Sequence, residues 1–461
     1  MAAHILSLQI GATNIPLTSA NALLLDYNPA TPSFSLLSAG QEIYGATRNL
    51  VTDSIRLHLY GSTGADVQSK IASIERFLEL CAHRQQSRTG DRGYLYLNLG
   101  SDSEDWRSEI LSGQVQPETD TLRTLEAAGA DVLLIITRRP FWETVTEREL
   151  PLDNGSAGGP ATGGVTIYNH DDGDSGHDNW VDVAAADVAG NLPSPLRLRM
   201  TNNTGADILY FNFWQAINSH HSPTTFAHII EGESMVGITQ VADGGSSGGY
   251  FGRATWTTLI QHAVDLFRWS LPSALLTAAA GGFFRVLVRF ANTPPTGMEF
   301  QLHIKTDLGV SKSLWDGPKL TTTGNRLQDF GVVQLPPGVT GDGDVYYPVR
   351  LVISGEYTGT SQLDIDFVQL TPADSTRWFK QLGYGIPPDD SIENNGPTGH
   401  IHNIDAATGQ RLYLYEAYSA VLHIWPNRAQ RLFFIFDEAT GMNVNRTSLI
   451  RAWYRPRRNT L

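Results

Sequence analysis

Three observations predict a mainly β chain built from several sandwich-type domains. The 461 residues include 44 Gly and 23 Pro, and only 17% are charged, a composition suited to short strands joined by many turns. The apolar residues recur in short alternating runs, such as Ile55, Leu57 and Leu59, or Leu196-Arg197-Leu198-Arg199-Met200, the period of a half-buried strand. One segment carries a helical period: from about Ala65 to His83, Val67, Ile71, Ile74, Leu78 and Cys81 fall three or four apart on one face. Ser62 or Thr63 is positioned to cap it.

Residues 1–150 read as a first domain, a β-sandwich with that one helix. Its strands are predicted at His4 to Ile10, Ile55 to Tyr60, Tyr94 to Leu99, Glu109 to Val115 and Val132 to Ile136. The last run is continuous in apolar residues and is expected to be buried on both faces. Pro140 then ends the ladder because it has no N–H to donate, and Phe141 and Trp142 place large aromatic area at the corner. Of the charges nearby (Arg107, Glu109, Arg138 and Arg139), Arg138 and Arg139 flank the closing strand and are the candidates for contact with another subunit.

Residues 151–215 begin as a linker, Gly155 to Pro160, which cannot hold a regular element. The acidic stretch with Asp172, Asp174 and Asp178 suggests a calcium loop, but Val183 stands where an EF-hand needs its bidentate acid. A polar turn is the favoured reading. Strands follow at Leu196 to Met200 and Ile208 to Trp214. Residues 216–372 form a self-contained run of short strands: Phe226 to Glu233, Phe283 to Phe290, Phe300 to Lys305, Val349 to Ser354 and Leu363 to Leu370. Spaced strands with Gly/Pro turns indicate a sandwich or jelly roll. Residues 373–461 return to longer spacing, with strands at His400 to Ile404, Arg411 to Tyr415, Arg431 to Phe436 and Leu449 to Tyr454.

Most motifs for chemistry fail on context. Gly244-Gly245-Ser246-Ser247-Gly248 fits G-x-S-x-G but lies in a glycine-serine loop, not between a strand and a helix. His220 and His221 lack partners at metal spacing, and the single cysteine, Cys81, leaves no disulfide framework and no zinc cluster. Asp364 and Asp366 could form an acid pair for glycan cleavage, although two acids on one strand face more often bind a cation or support loops. Tyr250, Trp256 and Trp269 lie near possible rim loops, where a flat ring can stack on a pyranose; aromatic residues of a sandwich are more often core. A net charge of −14 disfavours wrapping DNA. The N-terminus shows no secretory signal and no apolar run is long enough for a membrane span, so synthesis in a cytoplasm is expected.

Two motifs carry a family resemblance. The strand ending in Thr137-Arg138-Arg139-Pro140-Phe141-Trp142-Glu143, after a domain of this layout, resembles the distal tail proteins of long-tailed siphophages, and Trp453-Tyr454-Arg455-Pro456-Arg457-Arg458 resembles their closing strand. Residues Ala420 to Arg428, followed by Arg431 to Phe436, resemble the step into the galectin-like second sandwich of that family. The run within 216–372 would then be a jelly roll inserted into this second domain. Its first and last strands resemble those of jelly-roll carbohydrate-binding modules, and by that resemblance Glu231, Glu233 and Asp366 are candidate ligands of a structural calcium. The resemblance implies a structural, non-enzymatic component of the virion. It would form a homo-oligomeric ring, a hexamer in the family, contacting the tail tube protein, the baseplate hub or tail-associated protein and the tape-measure protein. The inserted module would grip host cell-surface polysaccharide, with no nucleic acid partner. A free carbohydrate-binding adhesin and a glycan-degrading tail enzyme are the alternatives.

Overall fold

The computed structural model describes residues 5–460 apart from 40–41, 101–103, 119–127, 157, 169–178, 209–210, 218–227, 236–237, 260–264, 272–275, 277–281, 308–310, 323, 325, 337–348, 374–376, 382–384, 415–417, 420 and 437–446. The acidic stretch around Asp172 and the pair His220 and His221 lie outside the described residues. The chain is mainly β, in several antiparallel sheets with one long helix. It divides into two units. The first is 1–148 with 189–194 and 455–461; the second is 149–188 with 195–454.

In the first unit the strands run in the order Thr13–Pro16, Ile5–Ile10, Gly93–Asn98, Asp105–Pro117, Gly129–Arg138, Val51–Tyr60, Ala22–Tyr27. The strand Val51–Tyr60 alternates strictly, with Val51, Asp53, Ile55, Leu57 and Leu59 facing inward. Gly129–Arg138 alternates too: Leu133 and Ile135 are only half-buried. The expectation of burial on both faces is corrected accordingly, because one face of this strand is not covered by a second apolar layer.

The helix α1 (Gly64–Ser87) is capped by Thr63, whose hydroxyl accepts from the Asp66 N–H at 3.2 Å. It buries Val67, Ile74, Phe77, Leu78 and Cys81. Two glycines let it approach the sheet. A Cβ at Gly113 would come within 2.9 Å of Leu78 and 2.7 Å of the Ile135 carbonyl oxygen, and one at Gly93 would collide with the Cys81 sulfur. Burial at this contact pushes the Cys81 thiol up to about 12, so it stays a protonated, inert core group.

The second unit holds two pairs of sheets. One pair comprises a seven-stranded sheet that includes Thr447–Tyr454, Arg197–Asn202, Ser391–Asn394 and Ile401–Ile404, and a five-stranded sheet of Trp180–Val183, Gln430–Phe436, Phe211–Ile217, Arg377–Gln381 and Tyr418–Ser419. They share a core that includes Leu198, Met200, Phe213, Ile392, Phe434 and Ile450. The other pair lies between residues 228 and 372. A six-stranded sheet is centred on Ser361–Pro372, and a four-stranded sheet runs Asp265–Ser270, Val349–Glu356, Glu299–Asp307, Ser311–Thr321. Their common core includes Phe267, Trp269, Phe290, Phe300 and Ile365.

Phe211–Ile217 and Arg377–Gln381 pair antiparallel, Phe211 opposite Gln381 and Gln215 opposite Arg377. The chain therefore leaves one strand and returns on its neighbour, with the second pair of sheets between. That is the geometry in which an insertion is tolerated. A small apolar cluster of Leu287, Phe367 and Phe433 joins the two pairs.

Candidate functional site

Two regions gather the residues singled out by the sequence. In the first unit, Trp142–Thr144 pairs antiparallel with Arg457–Arg458, Trp142 opposite Arg458 and Glu143 opposite Arg457. The two resemblance-bearing motifs, at opposite ends of the chain, thus meet in one sheet. Glu143 is gripped from both sides, by Arg107 at 3.0 Å and Arg457 at 3.1 Å. Arg457 also stacks on Phe141 at 3.9 Å and Arg458 on Trp106 at 4.5 Å. Beside this junction Glu109, whose side chain is 8% exposed, takes Arg139 at 3.3 Å, Arg92 at 3.6 Å and Arg84 at 3.9 Å.

The twin arginines have different roles. Arg138 is fully buried: its Nε donates to Asp53 at 2.5 Å, and its remaining nitrogens donate to the Ala30 and Arg139 carbonyls. Asp53 also accepts from the Tyr27 hydroxyl at 3.0 Å and the Ala30 N–H at 2.9 Å. Burial beside this carboxylate pushes the Tyr27 phenol far up. The expectation of an inter-subunit contact for Arg138 is corrected, because a side chain satisfied inside its own core has no surface to offer. Arg139 has a 44% exposed side chain and keeps the interface reading open.

In the second unit the three calcium candidates converge on the loop Ser246–Gly249. The Ser247 N–H donates to Asp366 at 2.7 Å and the Ser247 hydroxyl to Glu231 at 3.2 Å. A Cβ at Gly248 would stand 3.4 Å from a Glu233 oxygen. The strand His228–Glu231 stops at Glu231, and Glu233 lies in a short 3-10 turn, Gly232–Ser234. The strand expected through Glu233 ends two residues early, so Glu231 and Glu233 are not neighbours on one strand face. A Cβ at Gly232 would collide with the Ile365 carbonyl oxygen, so the turn presses directly on the last strand. Asp366 is fully buried and paired with the equally buried Arg289 at 2.9 Å. Among the described residues, no group of three or more His, Cys, Asp or Glu could hold a metal ion. The three acids do not fit a calcium site in this arrangement: Arg289 supplies the cation for Asp366. Burial raises the Glu233 carboxyl above its ordinary range, and one of its oxygens is buried without a hydrogen-bond partner among the described residues.

The aromatic candidates do not form one platform. Trp269 is 2% exposed and packs on Phe267 in the core, and Trp256 is 9% exposed; both are corrected to core positions by their burial. Tyr250 is exposed at the far end of Trp256's strand. The acid pair Asp364 and Asp366 is also accounted for. Arg253 binds Asp364 bidentately at 2.7 and 2.8 Å, with Asn292 at 2.6 Å, and Arg289 holds Asp366, so both carboxylates are committed to partners within the protein.

One constellation had no sequence signal. Asp316 meets His303 Nδ1 at 2.5 Å, and His303 Nε2 meets the Ser354 hydroxyl at 2.7 Å. The order is that of a nucleophilic relay, but Ser354 is 0% exposed within a strand, so no substrate carbonyl can reach it. Its three members come from three strands and become neighbours only through cross-strand register.

No protein-family model matches the chain, and no curated protein does. Among solved structures it is similar to the SPP1 Dit protein, described as a paradigm of the hub adsorption apparatus in Gram-positive infecting phages. That match has 7% identity and a TM-score of 0.37, covering 98% of this chain and 99% of that one. It is also similar to a chain of the phage p2 baseplate in its activated conformation, with 6% identity and a TM-score of 0.28, covering all of both chains. At these scores the likeness assigns no activity or partner to this chain.

Proposed function

We propose that this chain is a structural distal tail component of a long-tailed phage, not an enzyme. One observation carries the reading: the two motifs that resemble the distal tail family form one hydrogen-bonded corner, Glu143 opposite Arg457 and Trp142 opposite Arg458. Two distant segments that both resemble one family are better explained by shared architecture when they also build a single element. On this reading the first unit assembles into a closed ring, a hexamer, between the tail tube protein and the baseplate hub, with the tape-measure protein as a further partner. Cyclic closure leaves no free interface. Arg139 is the surviving candidate for a subunit contact. The sheets between residues 228 and 372 form the module that touches host surface glycan, and repetition around the ring offsets weak single contacts.

The test is the mass of the full-length protein in solution, with negative-stain images of the same sample. The expected result is rings of about six copies, each copy 50.5 kDa. A strict monomer that binds glycan would replace this reading with that of a free adhesin.

A further inference from the structure

The corner at Glu109 and Glu143 carries more positive charge than its own acids cancel. Register draws it together: Tyr94 stands opposite Glu109, Arg107 opposite Glu143 and Glu143 opposite Arg457. Arg84, Arg92 and Arg139 surround Glu109, while Arg107 and Arg457 hold Glu143. Arg455 joins them, its guanidinium donating to the Val145 and Thr144 carbonyls. Among the described residues, six guanidiniums thus face two carboxylates, with Glu147 the next acid near Arg455. The crowding tells on the arginines themselves. Burial, then the charge of Arg107, lowers Arg455. Burial, then Arg139 and Arg92, lowers Arg457 against the pull of Glu143. Arg92 and Arg139 are the exposed members, with side chains 40% and 44% accessible. The Arg92 side chain makes no hydrogen bond among the described residues. Arg107 lies on the Tyr94 ring at 4.2 Å and Arg457 on Phe141 at 3.9 Å. Guanidiniums ordered in this way lose little freedom when a further anion arrives, and Arg with aromatic residues is the usual make-up of an interface centre.

We propose that this corner docks an acidic segment of a different tail protein, with two or more Asp or Glu side chains completing the charge balance. The two anions already inside the corner are both carboxylates taken by arginine, which is the same chemistry. A short segment stays within a Debye length of the excess charge, about 8 Å at physiological salt. A nucleic acid extends beyond it and meets the rest of a chain of net charge −14. A second copy of the first unit is a poor match, because its acids are in large part paired within the unit, Asp66 with Lys70, Glu104 with Arg148 and Glu118 with Arg56. The proposal takes from the proposed function only that the partner is a tail protein; the carboxylate chemistry rests on the corner alone.

The experiment is fluorescence anisotropy of labelled hexaglutamate with the full-length protein, against hexaglutamine and an oligothymidylate of the same length, with sedimentation of every variant alongside. Arg92→Gln combined with Arg139→Gln removes the two exposed charges. Arg84 stays on Glu109, and unchanged melting shows that the fold is kept. If the double variant does not fold, Arg92→Gln alone replaces it. Arg56→Gln, at an exposed arginine outside the corner, is the control. The expected result is that hexaglutamate binds and hexaglutamine does not, and that affinity falls about tenfold or more between about 50 and about 300 mM salt. The double variant weakens binding about tenfold, and Arg56→Gln leaves it unchanged. Binding that survives the variant, or tighter binding of the oligothymidylate, overturns the proposal. So does a failure of hexaglutamate to bind; if the variant then changes the sedimenting mass, the corner is a contact between copies instead. None of these outcomes bears on whether the wild-type chain forms rings, which its own mass tests separately.

Discussion

Two buried ion pairs, one in each unit, show how the same chemistry serves different ends. Asp53–Arg138 and Asp366–Arg289 are both fully buried. The first is surrounded by neutral partners: a phenol, a backbone N–H and two carbonyls. Charge is balanced and the pair is a closed structural joint. The second has a further acid close by: the Ser247 N–H donates to Asp366 and the Ser247 hydroxyl donates to Glu231. A buried pair is weak evidence for stability in itself, but breaking one by removing a single partner is costly. The cost should therefore be larger where a second carboxylate lies close by.

Arg289→Met should give the largest effect. Asp366 would be left buried with Glu231 on the same loop residue, Ser247, and a loss of about 4–5 kcal/mol is expected in urea unfolding of the second unit. Arg138→Met should cost less, about 3 kcal/mol, because Asp53 keeps the Tyr27 hydroxyl and the Ala30 N–H. Equal losses would mean that the neighbouring acid does not matter and that the contrast is only apparent.

A smaller effect follows from pH. Burial alone would raise the Glu393 carboxyl, but Arg199, Arg197 and Arg411 outweigh it and hold the group below its ordinary range. The Arg451 hydrogen bond does the same for Glu149. Their stabilisation is present above the unfolded value of about 4.3 and is lost as pH falls through the lower folded values. Glu233 runs the other way. Its folded value is raised, so its contribution to stability falls as pH rises from about 4.3 through that folded value. Acid melts of wild type and Glu393→Gln should therefore converge only once pH has fallen below the lowered folded value of Glu393, and failure to converge would remove Glu393 from the account.

The smallest effect sharpens the comparison most. Glu233→Gln should raise the melting temperature by about one to two degrees at neutral pH, since it removes a desolvated charge. Addition of calcium or of chelator should leave wild type unchanged. A calcium-dependent rise of several degrees would instead make the three acids a cation site.

Much of the fold was legible because period and punctuation are local. The alternation in Val51–Tyr60, the helical stripe with its Thr63 cap and the stop at Pro140 all arise within a few residues of the chain. The strands Thr13–Pro16, Ala22–Tyr27, Tyr250–Trp256 and Ser311–Thr321 were not foreseen; Ala22–Tyr27 is an apolar run without alternation, and the others are short or carry Gly and polar residues on both faces. The candidate sites were less legible. Arg138 and Arg139 are neighbours in sequence, and only the sheet decides that one is sealed against Asp53 while the other stays exposed. Trp256 and Trp269 look alike as rim aromatics until packing buries both.

By itself, then, the chain's pattern of Gly, Pro and alternating apolar residues determined a mainly β protein with one capped helix, since those signals depend on backbone geometry at each position. Only the tertiary structure decided which charges neutralise one another, which aromatics are core and where a partner could dock. Burial and cross-strand register set those outcomes, and both depend on residues far apart in the chain.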